Sequence, residues 1–174
     1  MSAFEKAFAV VVGHEGGLSV TPADPGNWTG GACGMGVCRG TKYGISAASY
    51  PGLDIPGLTV ADASGIYRRD YWDRVRGDDL PPPLALLVFD AAVNAGPGAA
   101  TRWLQRAAGT APDGMIGPAT LGAIHAKDGV ALMTEFMAQR LVFMAGLPTW
   151  RTFGNGWARR LCRLPYDAIA MGMG

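Results

Sequence analysis

Residues Val11–Gly26 read VVGHEGGLSVTPADPG. An apolar run reaches a carboxylate, Glu15, breaks on Gly16 and Gly17, and presents a second carboxylate, Asp24, after a proline-containing turn. Upstream, Phe4, Ala7, Phe8, Val11 and Val12 recur at the three- and four-residue spacing of one helical face. Glu15 falls four residues after Val11 and continues that face. Gly16 and Gly17 are expected to supply the left-handed stop that ends a helix.

From Leu18 to Pro56 the chain is rich in Gly, Pro, Ser and Thr. The short runs LSV (18–20) and TKYGIS (41–46) read as strands of an irregular β-hairpin region, with a long loop over Gly30–Gly40. Helical patterns then dominate. In LTVADASGIYRRDYW, Thr59 stands as N-cap with Asp62 three residues on. PPPLALLVFDAAVNAG opens on prolines, stops at Gly96, and carries Leu84, Leu87, Val88 and Ala91 as a stripe. GAATRWLQRAAG ends at Gly109, and DGMIGPATLGAI is a turn followed by a helix with Pro118 in its first turn. GVALMTEFMAQRLVFMAG reads as the longest helix, with Met133, Phe136, Met137 and Leu141 on its inner side. TWRTFGNGWARRLCRL is expected to break at Gly154 and Gly156. The fold class is therefore α+β, predominantly α, with a small β region and a helical lobe. The expected division is a first part over 1–90 and a helical lobe over 91–174, packed as one compact unit.

The 174 residues carry a formal net charge of +1, with 49% hydrophobic and 17% charged residues, which is a globular balance. Near-neutral charge gives no reason to expect nucleic acid. The basic clusters YRRDYWDRVR (67–76) and WARRLCR (157–163) read as solvated helix faces. No run of about 18 apolar residues is present, so no stable membrane insertion is expected. The first residues lack the basic region and cleavage site of a signal peptide, so synthesis in the cytoplasm is expected. Three cysteines, at 33, 38 and 162, include no C-x-x-C pair, and only two histidines exist, so no metal or other cofactor is expected. Cys33 and Cys38 bracket a glycine-rich loop, and the sequence leaves open whether they are joined.

The residues that can carry chemistry are few. A carboxyl on the buried face of a helix, near its negative end, loses hydration and keeps its proton toward neutral pH, as a general acid must. Asp24, in the turn TPADPG, is expected to be exposed and ionised. Two carboxyls in unlike environments are the arrangement glycosidases use. The plainer reading makes Glu15 a salt-bridged helix-end residue and Asp24 an ordinary turn aspartate. Metalloprotease chemistry is excluded, because HEGGL has Leu18 where H-E-x-x-H needs its second histidine. G-x-S-x-G and P-loop motifs are absent.

HEGGLSVTPADPGNWT followed by TKYGIS resembles the N-terminal signature of glycoside hydrolase family 108, the lysozyme-like N-acetylmuramidases. IYRRDYWD, LALLVFDAAVNAGPGAATRWLQRA and DGMIGPATL resemble the rest of the same architecture, the last of them a peptidoglycan-binding segment. The resemblance implies a lysozyme-like fold and a muramidase that cuts the β-1,4 bond between N-acetylmuramic acid and N-acetylglucosamine. It makes Glu15 the catalytic acid and Asp24 its partner. A looser likeness to phage lysozymes makes Thr41 the residue that positions water. An insertion between Asn27 and Thr41 carries both Cys33 and Cys38, and Thr29 competes with Thr41 for that position. The insertion reads equally as a flap pinned by a disulfide and as a surface elaboration. Tyr43, Tyr71 and Trp72 are candidates to stack on sugar rings, and Asn94 is a candidate either to bond a sugar amide or to cap its own helix. The expected partners are peptidoglycan glycan strands, with a monomeric enzyme released to the cell wall through a holin or a secretion system. A lytic transglycosylase and a non-catalytic wall-binding module stay open, as does inverting against retaining chemistry.

Overall fold

A computed structural model describes residues 1–13 and 17–172. His14, Glu15 and Gly16 lie outside the described residues, and so do the expectations that fall on them. The chain divides into two compact units, one formed by Met1–Ala7 with Arg68–Gly174 and the other by Phe8–Tyr67. These bounds differ from a division at residue 90. The helix that contains Asp90 packs against the later helices and is tied to them by ion pairs.

Helix α1 (Ala3–Val12) begins on a reciprocal cap. Ser2 N–H donates to Glu5 Oε2 at 2.8 Å, and Glu5 N–H donates to Ser2 Oγ at 3.2 Å. Phe4 and Ala7 are buried and Phe8, Val11 and Val12 half-buried, as the spacing implied. The left-handed stop is Gly13 (φ 69°), whose N–H bonds Ala9 O at 3.1 Å. It comes earlier than Gly16 and Gly17, because Gly13 is the first residue past the apolar run that can take a positive φ cheaply.

In the unit Phe8–Tyr67, a 3-10 turn (Pro25–Asn27) precedes a two-stranded antiparallel sheet of β1 (Thr41–Lys42) and β2 (Ile45–Ser46). Thr41 pairs with Ser46 and Lys42 with Ile45. Of the expected strand 18–20, only Ser19 pairs, through two backbone bonds with Thr41 at 2.8 and 2.9 Å. The connecting residues Tyr43 (φ 52°) and Gly44 (φ 75°) both have positive φ, the mark of a tight two-residue hairpin loop. Helix α2 (Val60–Tyr67) opens on the expected box, with Thr59 N–H on Asp62 Oδ2 at 2.9 Å and Asp62 N–H on Thr59 Oγ1 at 3.2 Å. The Thr59 hydroxyl, which donates to Asp62 Oδ2 at 2.6 Å, and then the Thr59 N–H hold the Asp62 carboxyl below its ordinary pKa. The support they give is present above the ordinary carboxylate range and is lost as pH falls through the lowered value.

The last residue of α2, Tyr67, donates its hydroxyl to Tyr43 O at 3.0 Å, and a Cβ on Gly44 would stand 2.5 Å from that hydroxyl oxygen. Gly44→Ala therefore meets both a disfavoured φ and a clash. It is expected to lose roughly 2 kcal/mol, read as a fall in Tm of about 4–8 °C. Adding Tyr67→Phe should return part of that loss by removing the clashing oxygen.

In the other unit a π-helical turn (Arg68–Trp72) and two 3-10 turns (Asp73–Val75, Gly77–Asp79) lead, among the described residues, into five helices. They are α3 (Pro82–Ala95), α4 (Pro97–Ala108), α5 (Pro118–Ala126), α6 (Gly129–Ala145) and α7 (Trp150–Gly172). Helix α3 is buried on every side from Leu84 to Ala92, so the expected stripe is only part of its buried surface. On α6 the buried residues are Leu132, Phe136 and Arg140, while Leu141 is exposed, a correction to the inner face read from the sequence. The longest helix is α7, not α6, and it runs through Gly154 and Gly156 without a break. Gly154 serves packing: a Cβ there would lie 2.8 Å from the Trp150 ring.

Candidate active site

The unit Phe8–Tyr67 brings Asp24, Asn27 and Thr41 into one hydrogen-bond network. Asp24 caps the 3-10 turn, its Oδ1 accepting from Gly26 N–H at 2.8 Å, and its side chain is exposed as expected. Pro25, at the first position of that turn, supplies the fixed φ that starts it. Asn27, three residues on, is fully buried. Its Nδ2 donates to Thr21 O at 3.2 Å, which orients the amide so that Oδ1 faces Thr41. Thr41 Oγ1 donates to that oxygen at 2.8 Å. The backbone closes the loop: Asn27 O accepts from Arg39 N–H at 2.9 Å and Gly40 N–H at 3.1 Å, and Asp24 N–H bonds Thr21 O at 2.9 Å.

A hydroxyl whose proton is committed to a buried amide keeps its lone pairs for an incoming donor. Thr41 is thus set to accept from a water or a sugar hydroxyl, on the same framework that carries the exposed Asp24 carboxylate. Thr29 has another task. Its Oγ1 accepts from Val37 N–H at 2.9 Å, and its own N–H donates to Val37 O at 3.0 Å. With the bridge between Trp28 and Cys38 and the bond from Gly30 N–H to Met35 O at 3.0 Å, these contacts fold the insertion into a hairpin. Cys33 and Cys38 are free thiols, so the hairpin is held by backbone bonds and the Thr29 hydroxyl.

One candidate sugar contact, Trp72, is corrected, and Asn94 makes the bond of the second of its two readings. Trp72 is wholly buried, edge-on to Phe4 and Phe89 with centroids 5.5 Å away in each case, and its Nε1 donates to Asp78 Oδ1 at 3.0 Å. It is a core residue with no ring face left for a sugar. Asn94 donates from Nδ2 to Asp90 O at 2.7 Å, one turn back on its own helix, so its amide serves α3. Tyr43 is half-buried with the Lys42 ammonium 5.5 Å from its ring centroid. Asn27 is the residue that sequence reasoning missed. Its signal was weak: one amide just inside a Pro-Gly turn.

The later unit contains a second organised turn. Buried Gln105 of α4 donates from Nε2 to Asp113 Oδ1 at 2.6 Å and to Met115 O at 3.0 Å, and its Oε1 accepts from Gly114 N–H at 2.8 Å. The Gln105 amide, then the Met115 N–H, hold the Asp113 carboxyl below its ordinary pKa. The motif DGMIGP is thus a turn wrapped on one side chain, leading directly into α5. Among the described residues no cluster of His, Cys, Asp and Glu could hold a metal ion.

The family model "Glycosyl hydrolase 108" matches residues 8–96, the segment that holds this network. The chain belongs to glycosyl hydrolase family 108. Residues 99–162 match the model "Predicted Peptidoglycan domain". The family 108 chain is also similar to the solved structure of SagA from Brucella abortus. The two share 34% identity and a TM-score of 0.80, with 98% of this chain and 96% of that one covered. No curated protein matches the chain. The fold is accordingly predominantly α and lysozyme-like, and the family 108 protein is a glycoside hydrolase that acts on the peptidoglycan of the cell wall. No described helix is long and apolar enough to cross a membrane.

Proposed function

We propose that this family 108 enzyme is a muramidase that hydrolyses the β-1,4 bond between N-acetylmuramic acid and N-acetylglucosamine. Glu15 protonates the glycosidic oxygen as general acid. Asp24, with Thr41, manages the attacking water or the positive charge that develops on the sugar ring. The observation that carries this reading is the Asn27 bridge, which sets the Thr41 hydroxyl and the turn bearing Asp24 in one rigid frame inside the segment 8–96. A hydrolase needs a positioned water, and a hydroxyl oriented by a buried amide is a means of holding one. We further propose that the enzyme works as a monomeric, bacteriolytic endolysin of phage type, reaching the wall through a holin or a secretion system.

Mass spectrometry of the products released from purified sacculi tests the bond chemistry. Hydrolysis is expected to give reducing N-acetylmuramic acid ends. A 1,6-anhydro end, lighter by one water, would instead establish a lytic transglycosylase. Pelleting with sacculi without any product would establish a wall-binding module.

The two threonines separate in a second measurement. Thr41→Val removes the hydroxyl and is expected to lower kcat by about 10-fold or more. Thr29→Val loosens the hairpin and should leave kcat within about 2-fold, because its hydroxyl is engaged with Val37. Equal losses in both variants would remove Thr41 from the assignment.

A further inference from the structure

The geometry points to Trp28 as a stacking platform for an N-acetylhexosamine ring of the glycan strand, a role that rests on the muramidase reading. Trp28 directly follows Asn27 in the frame that holds Thr41 and Asp24. Its indole Nε1 donates to Pro22 O at 2.9 Å, which ties the polar edge of the ring to the turn that carries Asp24. Its backbone is held as well, the N–H on Pro25 O at 3.3 Å and the carbonyl oxygen accepting from Gly31 N–H at 2.9 Å. The residue nevertheless stays half-exposed, and among the described residues no aromatic ring packs on it.

Burial normally claims a tryptophan whose single donor is already satisfied inside the protein. Here the donor is satisfied and part of the apolar surface still meets solvent, in an orientation fixed before any ligand arrives. The hairpin that Trp28 opens adds Met35 (59% exposed) and Val37 (56% exposed), apolar side chains on the same unit. A pyranose offers one face of C–H groups to an aromatic plane, and the N-acetyl methyl offers an apolar group to neighbours such as these. Pre-fixed aromatic area costs little ordering on binding, so it favours affinity over the chemical step. Trp28 is thus a substrate-binding residue. It takes over the stacking role for which Trp72 has no free face.

The test uses a tetrasaccharide of alternating N-acetylglucosamine and N-acetylmuramic acid, titrated calorimetrically into the full chain carrying Glu15→Gln. Adding Trp28→Ala is expected to weaken binding about 10-fold, whereas Trp28→Phe, which keeps a ring and loses the bond to Pro22, should stay within about 3-fold. In the active enzyme Trp28→Ala is expected to raise KM by a similar factor with kcat within about 2-fold. Unchanged affinity in Trp28→Ala overturns the proposal. So does an equal loss in Trp28→Phe, because the indole would then act only as a brace through Pro22. Failure of the muramidase reading would appear in the product analysis and not in this titration, which requires no turnover.

Discussion

Glu15→Gln is expected to lower release of wall fragments by at least about 100-fold while leaving the protein folded and able to bind glycan. The leaving group of a glycosidic bond is a sugar alkoxide, a poor leaving group unless a proton reaches its oxygen as the bond breaks. A glutamine matches glutamic acid in shape and hydrogen-bonding reach but has no transferable proton. The loss should therefore fall on kcat, with KM little changed. The alkaline limb of the pH profile must also change, because a general acid works only while it holds its proton and that group is gone. Turnover in sacculus assays, thermal melting and calorimetry with the tetrasaccharide together separate a catalytic role from a structural one. If Glu15→Gln keeps more than about 5% of the activity, the proton comes from another group. If both activity and Tm fall, Glu15 is a structural residue of the kind an ion-paired helix end would be.

The sequence carried the local grammar of this fold well and its long-range pairings poorly. Thr59 with Asp62 is a three-residue pattern, and the box it announces is present bond for bond. The face of α1 was visible because apolar spacing alone sets it, yet the helix stops at Gly13, since several nearby glycines could each supply the positive φ. The hairpin TKYGIS was legible as strand, but its loop depends on Tyr43 accepting a positive φ, which Tyr67 supports from 24 residues away. Tryptophans show the same limit. Trp72 and Trp28 look alike as letters, and only tertiary packing makes one a core residue and leaves the other half-exposed. Glycines at 154 and 156 read as a break because propensity disfavours them in helices. Packing of the Trp150 ring over Gly154 reverses that reading. The least legible feature is charge inside the core. Asp90 is the only acid in the apolar run LALLVFDAAV, which signals a buried partner without naming it. That partner, Arg140, stood on α6 one residue from the Leu141 that the pattern favoured.

Asp90→Ala is the change expected to cost the most stability. The carboxylate is fully buried on α3, with Arg140 Nη1 of α6 at 2.6 Å from Oδ2 and Arg160 of α7 on Oδ1. Arg140 is itself only 1% exposed, and its Nη1 meets the carboxylate off the direction of a hydrogen bond, so Asp90 supplies charge balance more than a directed contact. Removing the carboxylate strands a guanidinium in the interior, a loss of about 3–5 kcal/mol, or a fall in Tm of roughly 6–20 °C for a chain of this length. Arg160 limits the damage little, because its side chain is 43% exposed and can turn to water. Asp90→Asn should cost nearly as much, since it keeps the shape and loses the charge. The double change Asp90→Leu with Arg140→Met should regain most of the loss, because an apolar pair needs no compensation in that environment. A drop of less than about 2 °C in Asp90→Ala would mean that water reaches Arg140 once the carboxylate is gone. A double variant no better than the singles would mean that the ion pair specifies how α3, α6 and α7 pack, and does more than neutralise a buried charge.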